Sequence, residues 1–179
     1  MRMITTVNER CRYIATFRHI SVWLMETVAR WTPMTPEMEV KVVFGRHIWE
    51  YAQMADALGK RTFELRQPEH YTIPAVDAYE ALLKDIAKTE STADRVAVIY
   101  DGLLPGLIER YRNYLAATDP ILDEPTLVII ERIVRELERQ RVDVAALQSE
   151  LKLGRAAAAA FAAREKAVTT LITEERVAA

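Results

Sequence analysis

The chain has 179 residues, half of them hydrophobic and 28% charged, with a formal net charge of −2. That length fits one domain on the scale of about 100–200 residues each, and the missing basic excess excludes a protein built to neutralise a phosphate backbone. Five glycines, seven prolines and a single cysteine argue against a turn-rich sandwich or barrel and exclude an internal disulfide framework or a paired-cysteine metal knuckle.

The N-terminal MRMITTVNERCRY has no apolar core of a leader peptide. No apolar run reaches the ~18 residues that span a bilayer. The expectation is a cytoplasmic protein that touches neither membrane nor nucleic acid. Cys11 reads as a small core-facing residue, since no His or Lys flanks it to activate the thiol.

Asn8 can cap a first helix running to about Trp31, with Ile14, Phe17, Ile20, Leu24 and Val28 recurring at three and four. Thr32–Pro36 breaks it. Thr35 as cap and Pro36 as first helical residue predict a second helix to about Arg66, with the stripe Val40, Phe44, His47, Tyr51, Met54, Leu58. Residues 67–90 form a connection that contains His70 and a short amphipathic helix over about Ala75–Ala87. A third long helix is expected from Thr92 to about Ala117. A second break, Ala117–Pro125, leads into a fourth, capped by Asp123 and interrupted or ended at Gly154. An Ala-rich fifth helix, to about Glu175, is expected to cover the bundle or to form a dimer seam. Residues 1–153 thus read as one helical bundle and 154–179 as an added helix. The helix–break–helix pattern occurs twice, and two hairpins joined by a crossover is one layout of a four-helix bundle, with plain up-down-up-down as the other.

Hairpin geometry indicates which polar residues meet. Folding about Pro33 sets His19 level with His47 and Thr16 with Glu50. Folding about Asp119 sets Arg139 level with Asp101, and Glu136 with Leu104. His47, Glu50, Tyr51 and Met54 share one helical face at spacings of three and four. In the third helix, Pro105 lacks an N–H and clashes with the carbonyl of Asp101. That predicts a kink and a freed carbonyl, either accommodated by packing or bordering a pocket beside Asp101.

The stretches HIWEYAQMADALGKRTFELR (His47–Arg66) and DEPTLVIIERIVRELERQ (Asp123–Gln140) resemble bacterial ferritin-like proteins, over roughly residues 8–141. The resemblance implies an all-α four-helix bundle of two hairpins joined by a crossover. It also implies a di-iron or di-manganese centre held by Glu-x-x-His on the second and fourth helices and one Glu on the first and third. This chain has Glu50-Tyr-Ala-Gln53 and Glu136-Leu-Glu-Arg139 at those motifs. Gln is a poor ligand and Arg is none. Two outcomes are therefore open. Either an altered metal site uses His19, His47, Glu50 and Glu136, or Arg139 neutralises a glutamate and the cage becomes a polar pocket.

Each residue also has a plain reading: His47 as a hydrogen-bonded core histidine, His19 as a flanking one, Glu50 and Glu136 as solvated charges. No Gly-rich phosphate loop, HExxH or GxSxG is present. The leading expectation is a small organic molecule bound, and turned over, in a mid-bundle pocket. His47 would act as general acid or base, with Glu50 and Glu136 as catalytic partners, and with Tyr51, Tyr100, Asp101 and Arg139 holding the ligand. The alternatives are a di-metal oxidase or oxygenase with unusual ligands, and a non-enzymatic homodimeric protein.

Overall fold

A computed structural model describes residues 6–66 and 71–172; His70 lies outside them. The protein is all-α, with no strand among the described residues. Helix α1 (Val7–Trp31) begins at Thr6, whose hydroxyl accepts the Glu9 N–H at 3.1 Å; the cap lies two residues before Asn8. Its buried stripe is Ile14, Phe17, Ile20, Leu24, Val28 and Trp31, the face the sequence periodicity marks. Cys11 is fully buried on α1.

Helix α2 (Met38–Glu64) starts later than expected. Thr35 does not cap it: its buried hydroxyl donates backward to Trp31 O at 2.9 Å and closes the end of α1. Helix α3 (Asp77–Ala87) lies in the connection. The third long helix runs from Thr92 to Ala117 in three parts, α4 (Thr92–Val96), a π-helical stretch (Ala97–Leu103) and α5 (Leu104–Ala117). Helix α6 (Glu124–Glu150) completes the core. Asp123 precedes it, but its carboxylate does not cap α6. Fully buried, it accepts from Arg61 Nη2 (3.2 Å), Thr126 Oγ1 (2.6 Å), Tyr114 Oη (2.6 Å) and Thr118 Oγ1 (2.9 Å), tying the α5–α6 turn to α2.

Residue pairs give the directions. Tyr13 packs on Tyr114 and Phe17 on Tyr111, with ring centroids 5.6 and 4.3 Å apart, so α1 and α5 are antiparallel. Arg46–Asp143 and Arg61–Thr126 make α2 and α6 antiparallel. Arg141–Tyr100 and Tyr114–Asp123 do the same for α5 and α6. Because α1 and α2 form a tight hairpin, α2 and the third long helix run the same way. The connection therefore crosses the length of the molecule, passing α1, where His19 Nε2 meets Glu80 Oε1 of α3 at 2.9 Å. Plain up-down-up-down connectivity is excluded.

The turn that stops helix α6 is made at Lys152, before Gly154. Lys152 takes a left-handed φ of 53°, and Leu153 N–H closes on Gln148 O at 2.9 Å, a terminus usually made by glycine. The last helix, α7, is shorter than expected (Ala158–Ala167). It packs on its own bundle. A Cβ at Gly102 would lie 3.2 Å from Phe161 Cβ, and one at Gly106 would overlap the Glu165 carboxylate, so both glycines let α7 approach. Arg110 holds its end, donating to Glu165 Oε1 (2.5 Å), Glu165 O (2.7 Å) and Val168 O (2.6 Å).

Candidate functional site

The α2–α6 seam carries the charged cluster. Antiparallel pairing at a constant register brings Arg46 to Asp143 and Glu50 to Arg139, one turn apart on each helix. Arg139 Nη2 donates to Glu50 Oε1 at 2.6 Å and also to Glu136 Oε1, while its Nη1 donates to Asp143 Oδ2 at 2.7 Å. Gln140 Nε2 donates to the other Glu50 oxygen at 2.8 Å. Glu50, Glu136 and Arg139 form the polar floor of an open cleft of about 290 Å³. Trp49, Met54 and Ile133 make its apolar walls, and Gln53 and Arg132 stand at its edges. Trp49 is 66% exposed at the rim.

His47 lies behind Glu50. It is fully buried, with Nδ1 2.7 Å from Tyr100 Oη and Nε2 4.0 Å from Glu50 Oε2. Burial, together with the Arg46 and Arg139 charges, lowers its pKa to about 3, so the ring is neutral near pH 7. It does not line the cleft, and a direct proton transfer from imidazole to a cleft ligand is not available to it. Tyr51 and Tyr100 pack on the same imidazole from inside the core, and neither lines the cleft. Burial first, and then the Tyr100 phenol, hold the Tyr51 hydroxyl proton well above the ordinary phenol range.

The two cleft carboxyls have opposite fates. Burial raises the Glu50 pKa, and the adjacent Glu136 carboxylate adds to the rise against the Gln140 hydrogen bond. Burial also pushes Glu136 upward, but hydrogen bonds from Arg139 and Glu50 outweigh it and leave Glu136 lowered. Side by side stand a carboxyl that holds its proton longer and a carboxylate that sheds it sooner, the split that separates acid from base in a paired site.

The expected partnership of His19 and His47 is not formed. His19 points to α3, where Glu80 takes it, because the crossover passes beside α1 at that level. Asp101 also lies elsewhere. Its carboxylate accepts from Gln148 at 2.8 Å and faces Arg155 at 3.7 Å, two turns along α6 from Arg141. The kink expected at Pro105 is instead a π-helical stretch. Leu104 N–H bonds back five residues to Ile99 O. In that register the donor for Tyr100 O would be the N–H of residue 105, which proline lacks. Arg141 Nε supplies it from α6 at 3.0 Å. The freed carbonyl is thus that of Tyr100, and packing satisfies it.

A di-metal centre does not fit these residues. The Arg139 guanidinium already holds the position between the two carboxylates, Gln140 turns an N–H donor toward Glu50, and Arg139 itself stands at the histidine position of the fourth-helix motif. Among the described residues no group of three His, Cys, Asp or Glu side chains has metal-holding geometry.

Gln140, Asp143, Arg46 and Trp49 belong to the cluster but are not singled out by the sequence motifs. One signal does mark Gln140. With Gln148 it occupies the apolar phase of α6 (Ile133, Leu137, Val144), and both glutamines are buried. Comparison with family models, with curated proteins and with solved structures finds nothing that matches this chain.

Proposed function

We propose that the chain is a ferritin-like four-helix bundle protein that binds a small organic molecule in the α2–α6 cleft. The fold half of the reading is supported by connectivity, two antiparallel hairpins joined by a crossover that leaves the second and third long helices parallel. One observation carries the functional half. Two carboxyls from different helices are held by one arginine at the floor of an open cleft with an exposed tryptophan at its rim. Such convergence of a few polar groups on an apolar-walled concavity is what small-molecule sites share. In this reading Glu50 is the acid and Glu136 the base of any proton transfer to the ligand, while His47 positions Glu50 from behind. The buried single thiol and the absence, among the described residues, of a helix able to cross a membrane favour a cytoplasmic setting.

The test is ligand-detected NMR of a fragment library against the wild type, Trp49→Ala and Glu136→Gln. Fragments that bind the wild type and are lost in both variants support the site. Binding indifferent to both substitutions removes it.

A second reading, a non-enzymatic homodimer, is favoured by a stripe on the outer face of α2. Met38, Val42 and Trp49 are each about two-thirds exposed, with Gly45 between them facing open space. Sedimentation tests it: a wild-type dimer converted to monomer by Val42→Glu supports this face as the seam, and a wild-type monomer excludes it.

A further inference from the structure

The outer face of α2 carries the spacing of a helix-pairing seam. Met38, Val42, Gly45 and Trp49 recur at four, three and four, the rhythm by which one helix presents a continuous stripe to another. Among the described residues nothing covers that stripe: its three large side chains stand out in solvent and Gly45 faces open space. It ends where the face turns polar, at the Asp56–Lys60 ion pair. A contiguous apolar stripe marks a contact surface, which singly scattered exposed residues do not.

The stripe complements a copy of itself in one direction only. Against a second copy running parallel, Gly45 would meet Gly45 and leave a gap. Glu39 and Arg46, exposed two turns apart on the α6 side of the stripe, would each face their own charge. Running antiparallel about the midpoint of Val42 and Gly45, Val42 meets the partner's Gly45 and Met38 meets the partner's Trp49. Large stands against small at the centre and apolar against apolar at both ends, repeated by the two-fold axis. Glu39 then comes close to level with the partner's Arg46, setting opposite charges along the edge of the seam. Arg46 is free to answer it, since its side chain stays 48% exposed beyond Asp143.

Resting on the homodimer reading of this face, we infer that two copies pair through α2 in this antiparallel register and that each copy's Met38 completes the rim of the other's cleft. Trp49 joins the two statements. It ends the stripe and is also the apolar wall at the open rim of the cleft, so the partner's Met38 lies on that indole and two chains wall the site. A single helix pair is a contact at the small end of the range for stable complexes, and the dimer therefore dissociates in the micromolar range.

The experiment joins sedimentation of the full chain with disulfide trapping; Cys11 is fully buried and does not compete. The wild type passes from monomer to dimer as concentration rises, and Val42→Glu weakens the dimer by roughly tenfold or more. Trapping is done at concentrations where sedimentation shows the variants to be dimeric. Met38→Cys alone and Trp49→Cys alone form no disulfide-linked dimer on oxidation, because like positions lie about 16 Å apart along an antiparallel pair. Mixed, they give a linked dimer. Self-linking of either variant in place of the mixture shows parallel pairing; it overturns the shared cleft and leaves α2 as the seam. No disulfide in any sample overturns the register in the same way. A wild type that stays monomeric, or a dimer indifferent to Val42→Glu, overturns the pairing and the homodimer reading together.

Discussion

Arg139 and Glu50 meet across the α2–α6 seam at 2.6 Å, and the same guanidinium nitrogen also reaches Glu136. A side-chain cation thus occupies the ground between two helices where the ferritin-like pattern would set a metal. Arginine is always charged and brings its own donors, so the two carboxyls have a cation and hydrogen-bond donors between them without an imported ion.

Metal content follows from that placement. Protein made in iron- and manganese-supplemented medium is expected to carry well under one metal per chain by elemental analysis. Stoichiometric metal that disappears in Glu136→Ala would contradict the role given to Arg139.

The contact between Arg141 and the Tyr100 carbonyl predicts a non-additive pair. Arg141→Met leaves a buried carbonyl without a donor and should cost about 1–3 kcal/mol in urea unfolding. Pro105→Ala restores an N–H to the π-helical register, so the same Arg141→Met change should cost clearly less in that background. Equal costs in both backgrounds would show that Arg141 does not stand in for the missing proline donor.

Asp123 predicts a large single effect. Its carboxylate gathers four donors inside the α5–α6 turn, among them the buried Arg61. Asp123→Ala removes the buried carboxylate that pairs with Arg61, leaving that guanidinium the exposed Glu64, and should lower unfolding free energy by about 3–5 kcal/mol. A loss below about 1 kcal/mol would place the turn outside the cooperative core.

His47 predicts a pH dependence. Its pKa falls from 6.5 to about 3 on folding, so the unfolded chain binds this proton more readily. The sign is therefore fixed: the contribution is complete above 6.5 and is lost as pH falls toward about 3, at up to about 1.4 kcal/mol per pH unit. Denaturant unfolding across that window should show a steeper pH slope for the wild type than for His47→Gln. Identical slopes would mean that His47 is solvated.

The helices were legible because their apolar stripes are long and regular: Phe17, Phe44, Leu107 and Leu137 all lie where period 3.6 puts them. Glu50, Glu136 and Arg139 were legible for the same reason, as charges bordering stripes at matching depth. What was not legible depends on how helices pass one another. Levelling α1 against α2 sets His19 beside His47, but a third element, α3, takes it through Glu80. Hairpin levelling sets Asp101 beside Arg139, yet its carboxylate, within the π-helical stretch, accepts from Gln148. Caps were misplaced where side chains had stronger uses, Thr35 closing the preceding helix and Asp123 gathering donors from three elements.

The central claim is that Glu50 and Glu136 converge on Arg139 in a partly dry cleft, and carboxyl-carbon NMR titration of the two glutamates tests it directly. Glu50 should titrate above the ordinary glutamate value of 4.5 and Glu136 below it, with the Glu136 depression lost in Arg139→Ala. Two carboxyls that titrate at the ordinary value, indifferent to that substitution, would contradict the account.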